Sequence, residues 1–263
     1  MSKKRVVSAL SLIPVIMLFI YFAEPILWLA LILGVGYISQ KEYFNMAAVK
    51  IENGEKTFAH ILNACLIATV YFSENVSLAI FIAFFVVATK NIIKTDQHKE
   101  IVNHFLSDLL GAIYCAILPS YFLLIRMLDG KEYIYLLLLT IWAIDAGAYY
   151  VGCSIGRHKL IPHISPNKTI EGSLGGMLSA VCVIVGAKIL YFTNFSLVEA
   201  VLFGIYLAII AQIGDLFESL LKRAAGIKDS GDVIPGHGGM LDRVDSLLFA
   251  APAFFYFTLY LTL

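Results

Sequence analysis

The chain has 263 residues, 19 Lys and Arg balanced by 19 Asp and Glu, and only 14% charged side chains. Soluble domains carry about 25% charged residues. With 60% hydrophobic residues and a mean hydropathy of +0.83, a water-soluble globule and a globally basic nucleic-acid binder are both excluded. Cys65, Cys115, Cys153 and Cys182 lie in or beside apolar runs and form no C-x-x-C pair, so neither a disulfide framework nor a zinc site is expected. The expected fold class is all-α: a polytopic helical membrane protein.

In chain order, Lys3-Lys4-Arg5 precede an apolar run from Val6 to Phe22. No A-x-A-like cleavage site follows, so the run reads as an uncleaved first span. Further apolar runs lie near residues 25–40, 59–73, 76–89, 106–125, 133–151, 173–192, 197–221 and 246–263. A helix needs about 20 residues to cross a bilayer, so the runs at 25–40, 59–73 and 76–89 are marginal, to be tilted, extended or partly re-entrant. Nine spans are preferred over eight, with the N-terminus in the cytoplasm. All Lys and Arg except Arg126, Lys131 and Lys188 then fall on the inner side, as the positive-inside rule requires. No repeat of about 20–50 residues is visible.

The loops before residue 130 are short and ordinary, whereas after residue 140 acids enter the spans and two loops become rich in Gly, Pro, Lys and His. Residues 1–130 are therefore expected to be a lipid-facing scaffold, suited to dimerisation. Residues 131–263 are expected to be a catalytic region with cytoplasmic loops 152–171 and 222–245. In the run at 197–221, Gln212, Asp215, Ser219 and Lys222 recur on one helical face, with Glu218 beside them. Ionisable groups at membrane depth are stable only when paired, metal-bound or facing water. The structural alternative is an Asp215–Lys222 pair between helices; five polar positions in eleven residues favour a functional face.

Past that helix, Lys222, Arg223, Lys228 and Arg243 offer charge-assisted donors suited to phosphate. Gly236, Gly238 and Gly239 allow backbone N–H groups to approach a ligand, with His237 among them. Asp242 and Asp245, three apart at a helix start, share one face and with Asp215 make hard oxygen ligands suited to Mg²⁺. An N-cap role explains only one of these acids. Asp145, with Tyr149 at i+4, forms a second group with Ser165-Pro166-Asn167-Lys168-Thr169-Ile170-Glu171-Gly172. Thr169 or Ser165 is an expected N-cap with Glu171 in the first turn, while Lys168 at a helix N-terminus suits a shared anion. No P-loop or dinucleotide fingerprint is present. His60, His98, His104, His158 and His163 lack ligand spacing, and no basic patch is interleaved with aromatics to suit nucleic acid.

Residues 219–245 resemble the signature of phosphatidate cytidylyltransferases, also called CDP-diacylglycerol synthases. The matching positions are Ser219, Leu221, Lys222, Arg223, Lys228, Asp229, His237, Gly238, Gly239, Met240, Asp242, Arg243, Val244 and Asp245. The segments Asp145-x-x-Ala148-Tyr149 and Ser165 to Gly172 resemble the family too. The resemblance implies transfer of a cytidylyl group from CTP to phosphatidate in a bacterial cytoplasmic (inner) membrane, the active site facing the cytoplasm. It also implies Mg²⁺ dependence, a two-cation site that includes a monovalent ion, and a homodimer among membrane lipids. Lys222, Arg223, Asp145, Ser219 and His237 are the expected catalytic residues. Lys168, Lys228, Arg243, Gly238, Gly239 and Tyr149 are expected to bind substrate, and Asp215, Asp242 and Asp245 to bind metal. A cytidylyltransferase for another lipid phosphate remains open, as does a transporter with an intramembrane polar site. The D-G-x-x-A-R run of CDP-alcohol phosphotransferases is missing.

Overall fold

Backbone N–H and C=O groups in lipid have no water to bind, and a helix satisfies them within one segment. The computed structural model describes residues 14–47, 52–94, 101–128, 131–191, 195–232 and 238–262. Residues 14–22 are helical. Eight longer helices follow: α1 (Pro25–Met46), α2 (Asn53–Ser73), α3 (Val76–Lys94), α4 (Ile101–Met127), α5 (Glu132–Ile155), α6 (Ile170–Leu190), α7 (Leu197–Ala224) and α8 (Leu241–Thr262). The helical class is as expected. One addition was not: between α5 and α6 the chain forms an antiparallel pair, β1 (Lys159–Ile161) and β2 (Ser165–Thr169).

The helices α3 to α7 are the 5 that are long and apolar enough to cross a membrane among the described residues. The marginal runs at 25–40, 59–73 and 76–89 have lengthened into helices of 22, 21 and 19 residues. Length and composition thus support five spans; they do not establish nine.

The chain divides into two compact units. The first comprises residues 1–129 with 221–243, so the loop after α7 belongs with the N-terminal helices. Its interior is lined from α3 by Ala79, Ala83 and Val87, spaced four apart and fully buried. Phe81, Phe84 and Phe85 point outward, the inverse of a soluble helix. In α4, the Pro119 ring conflicts with the carbonyl of Cys115, four residues earlier. The helix accommodates this with a π turn over Ile113–Ile117. The displaced Cys115 carbonyl presses on α1, where a Cβ at Gly36 would lie only 2.8 Å from its oxygen.

The second unit comprises residues 130–220 with 244–263. Its most extensive helix contact joins α5 to α6 along a seam of small residues, the usual route to close approach in lipid. A Cβ at Gly172 would meet the Ala148 carbonyl at 2.7 Å, and one at Gly176 the Ile144 carbonyl at 2.9 Å. Leu174 and Leu178 on the opposite face of α6 are exposed. Gly176→Val should therefore force the pair apart, lowering stability by about 1–3 kcal/mol. Thermal unfolding of detergent-extracted protein should show this loss, while Leu178→Val on the outer face should leave the transition nearly unmoved.

Candidate functional site

Three carboxylates and one ammonium gather in the second unit. Asp145 lies on α5, Asp215 on α7 and Asp245 in the second turn of α8, all within electrostatic reach of one another and of Lys168. Lys168, the penultimate residue of β2, makes an ion pair with Asp215; each side chain is 29% exposed. Gly214, next to Asp215, brings α8 close: a Cβ there would meet the Asp245 carbonyl oxygen at 2.7 Å. The missing side chain is thus what sets the spacing of α7 and α8 beside the acids.

The hairpin and the start of α6 hold Lys168 in place. Thr169 is the N-cap of α6, its Oγ1 accepting from Gly172 N at 3.1 Å, as expected. The Glu171 carboxylate turns back to accept from Arg157 N at 3.1 Å and His158 N at 3.2 Å, and lies 2.6 Å from His158 Nδ1. This ties the exit of α5 to the first turn of α6. Ser173 Oγ donates to Gln212 Oε1 at 2.5 Å, and Gln212 Nε2 returns a bond to the Ser173 carbonyl at 3.3 Å. Gln212 and Asp215 therefore both face groups of the β2–α6 segment. Tyr149 is 61% exposed on α5.

The first unit holds the other expected cluster. Lys222 does not pair with Asp215, as the structural alternative required. Its Nζ lies 2.5 Å from Asp242 Oδ1, both side chains being nearly buried at 11% and 12% exposure. The second carboxylate oxygen, Oδ2, accepts from Ser230 N at 2.9 Å and Gly239 N at 2.8 Å, and lies 3.1 Å from Ser230 Oγ. The Gly239 N–H is thus directed at Asp242 rather than outward. Gly238 has φ +79°, a conformation that a side chain would strain. Arg223, Lys228 and Arg243 are exposed and Ser219 is half-buried; an Arg223 Nη1 donates to the Ile227 carbonyl at 3.3 Å. His237, with Gly236, lies outside the described residues.

Asp242 and Asp245, expected to act as a pair, therefore have different partners. Asp242 is engaged on both oxygens by Lys222 and the loop; Asp245 faces Asp215, Asp145 and Lys168. No three His, Cys, Asp or Glu side chains among the described residues are gathered into a ready-made metal shell. The second unit's acids nonetheless suit a hard cation in donor type, since three carboxylates share a single ammonium. Glu42 is the residue that sequence reasoning missed. It is 3% exposed on α1, yet accepts hydrogen bonds from the loop at residues 230, 240 and 241. Its signal was an acid at the end of a marginal apolar run, within the part of the chain where no chemistry was sought.

Over residues 3–261 the sequence matches the Cytidylyltransferase family, and the chain belongs to that family. It is 45% identical over 152 residues to the phosphatidate cytidylyltransferase of Bacillus subtilis (strain 168), covering 57% of this chain and 56% of that protein. The phosphatidate cytidylyltransferase of Staphylococcus haemolyticus (strain JCSC1435) is 47% identical over 146 residues, 55% of each chain. That of Staphylococcus aureus (strain COL) is 48% identical over 126 residues, 47% of this chain and 48% of that protein. The chain spans about half the length of the curated relatives it matches.

Breaking a nearly buried ion pair by removing one partner leaves a charge uncompensated. Lys222→Met should lower stability by about 3 kcal/mol, read from denaturation of the detergent-solubilised protein. Adding Asp242→Leu to that variant should recover part of the loss, whereas adding Asp215→Leu should not. Recovery with Asp215→Leu instead would contradict the observed pairing.

Proposed function

We propose that this membrane protein transfers a cytidylyl group from CTP to phosphatidate, forming CDP-diacylglycerol and pyrophosphate. Membership of the cytidylyltransferase family across residues 3–261 carries the proposal; the phosphate-binding residue types of the 222–245 loop support it. In this reaction an oxygen of the lipid phosphate attacks the α-phosphorus of CTP. The bond from that phosphorus to the α–β bridging oxygen breaks, and pyrophosphate leaves with the electron pair. A phosphate monoester is largely dianionic at neutral pH, its second pKa being about 6. No proton has to be removed from the nucleophile, so the protein's task is to position two anions and neutralise their charge.

Lys222, Arg223, Lys228 and Arg243 are suited to the triphosphate and to charge growing on the departing pyrophosphate, and Lys168 to a further phosphate oxygen. Asp145, Asp215 and Asp245 would hold Mg²⁺, whose charge would offset that of the phosphates. Asp242, the remaining acid of the expected metal set, is held by Lys222, Ser230 and Gly239, which favours a role in shaping the loop.

Purified protein given labelled CTP and a panel of diacyl, prenyl and archaeal ether-lipid phosphates should release pyrophosphate with phosphatidate far faster than with the others. Chelation should abolish the reaction and Mg²⁺ restore it, and Asp245→Asn should reduce it by about 10²-fold. A higher kcat/KM for another lipid phosphate would reassign the substrate.

The proposal includes a cytoplasmic active site in the inner membrane, supported by the Lys and Arg distribution. In a cysteine-free background, Lys159→Cys and Lys228→Cys should resist an impermeant thiol reagent added outside intact cells and react after lysis. Labelling of both from outside would overturn the orientation.

A further inference from the structure

The Glu42 carboxylate joins the two described flanks of the loop. Oε2 accepts from Ser230 Oγ at 2.8 Å and from Leu241 N at 2.9 Å, and Oε1 accepts from Met240 N at 2.7 Å. One side chain on α1 thus brings residues 230 and 240 to a common point 188 or more positions away in sequence. Its charge is met by N–H and hydroxyl donors. Two of these donors are the backbone amides entering α8, where the helix N-terminus favours an anion.

Two glycines are explained by the same carboxylate. A Cβ at Gly231 would lie 2.8 Å from Glu42 Oε1, and one at Gly239 would lie 2.5 Å from Oε2 and collide with Ser230 Oγ. Gly239 therefore makes room for Glu42 and Ser230, in addition to sending its N–H to Asp242. Ser230 is shared: its hydroxyl contacts both Glu42 and Asp242, and Asp242 is the partner of Lys222. A continuous set of hydrogen bonds runs from Glu42 through Ser230 and Asp242 to Lys222.

We propose that Glu42 is a positioning residue for the transferase reaction: it clamps the loop at Ser230, Met240 and Leu241 and thereby fixes the Asp242–Lys222 pair. This rests on the proposed cytidylyl transfer, in which Lys222 neutralises phosphate charge. Loosening the clamp displaces that ammonium, and a misplacement of about 1 Å lowers a positioned reaction by about 10²-fold. Glutamine tests the clamp with little change in volume. Both carboxylate oxygens accept hydrogen bonds, so either orientation of the amide sets its NH₂ against a backbone N–H.

The experiment uses the full chain in detergent, with Glu42→Gln, Glu42→Asp and Ser230→Ala compared with the wild type. Initial rates with CTP and phosphatidate are normalised to folded protein, and amide exchange is followed at residues 238–243 and across α2 and α3. For Glu42→Gln the expected result is a kcat lowered by about 10²-fold, a phosphatidate KM changed less than about threefold, and faster exchange at 238–243 only. Ser230→Ala keeps two of the three bonds, so its kcat should fall only by about 2–10-fold. Glu42→Asp keeps the charge and should lie between wild type and Glu42→Gln. Unchanged exchange at 238–243 in Glu42→Gln would overturn the clamp. So would a loss of activity that vanishes on normalisation to folded protein, which marks a merely structural acid. A wild type that transfers nothing overturns the transferase reading instead, and exchange alone then supports or overturns the clamp.

Discussion

An ionised carboxylate in a chain this apolar is stable only where donors or an opposite charge meet it, and that constraint organises both units. It is met in two ways. Asp215 is answered by Lys168 and Asp242 by Lys222, each in a short ion pair between different segments. Glu42 is answered by N–H and hydroxyl groups of a loop it holds. An ion pair and an N–H cradle differ in what they permit. A lysine can release its acid to meet an incoming anion, whereas a carboxylate bound to backbone amides at a helix start leaves only if the loop is remade. The fixed element is therefore Glu42, and the exchangeable charges are the lysines.

Much of this was legible in the residues themselves. Apolar runs announced helices, because a stretch of Leu, Ile and Phe has few other ways to satisfy its backbone in lipid. The stripe of α7 announced a polar face, because Gln212, Asp215, Ser219 and Lys222 recur at helical spacing. Partners were not legible. Helical periodicity places Asp215 and Lys222 on one face of one helix, but pairing depends on what the neighbouring segments present. Here β2 presents Lys168 and the first turn of α8 presents Asp242. The hairpin was missed because five residues containing Pro and Asn read as loop, and its pairing extends over only a few positions. Glu42 was missed for a related reason: two of its three donors are backbone N–H groups, which carry no sequence signal.

Membership of the cytidylyltransferase family and the shape of the loop bear on each other. A signature dense in glycine and charge is commonly read as a list of ligand contacts. In this chain several of its positions act on one another first. Gly239 yields space to Glu42 and Ser230, Gly238 supplies a left-handed turn, and Asp242 gathers Ser230, Gly239 and Lys222. A pattern can therefore be strict because a loop has to fold back on an acid as much as because it has to touch a substrate.

The seam between α5 and α6 has a bearing on how such a protein keeps working as its bilayer changes. Where two backbones touch through glycine, no side chain is available to repack, so the pair holds one separation whatever surrounds it. Adjustment is left to the outward residues, Leu174 and Leu178 among them, which meet acyl chains of varying length and order. A cell that shortens or unsaturates its lipids in the cold alters the solvent on that outer face only. Asp145 on α5 and Lys168 on β2, the strand that leads directly into α6, keep their spacing through such a change, so the polar chemistry is insulated from the physical state of the membrane.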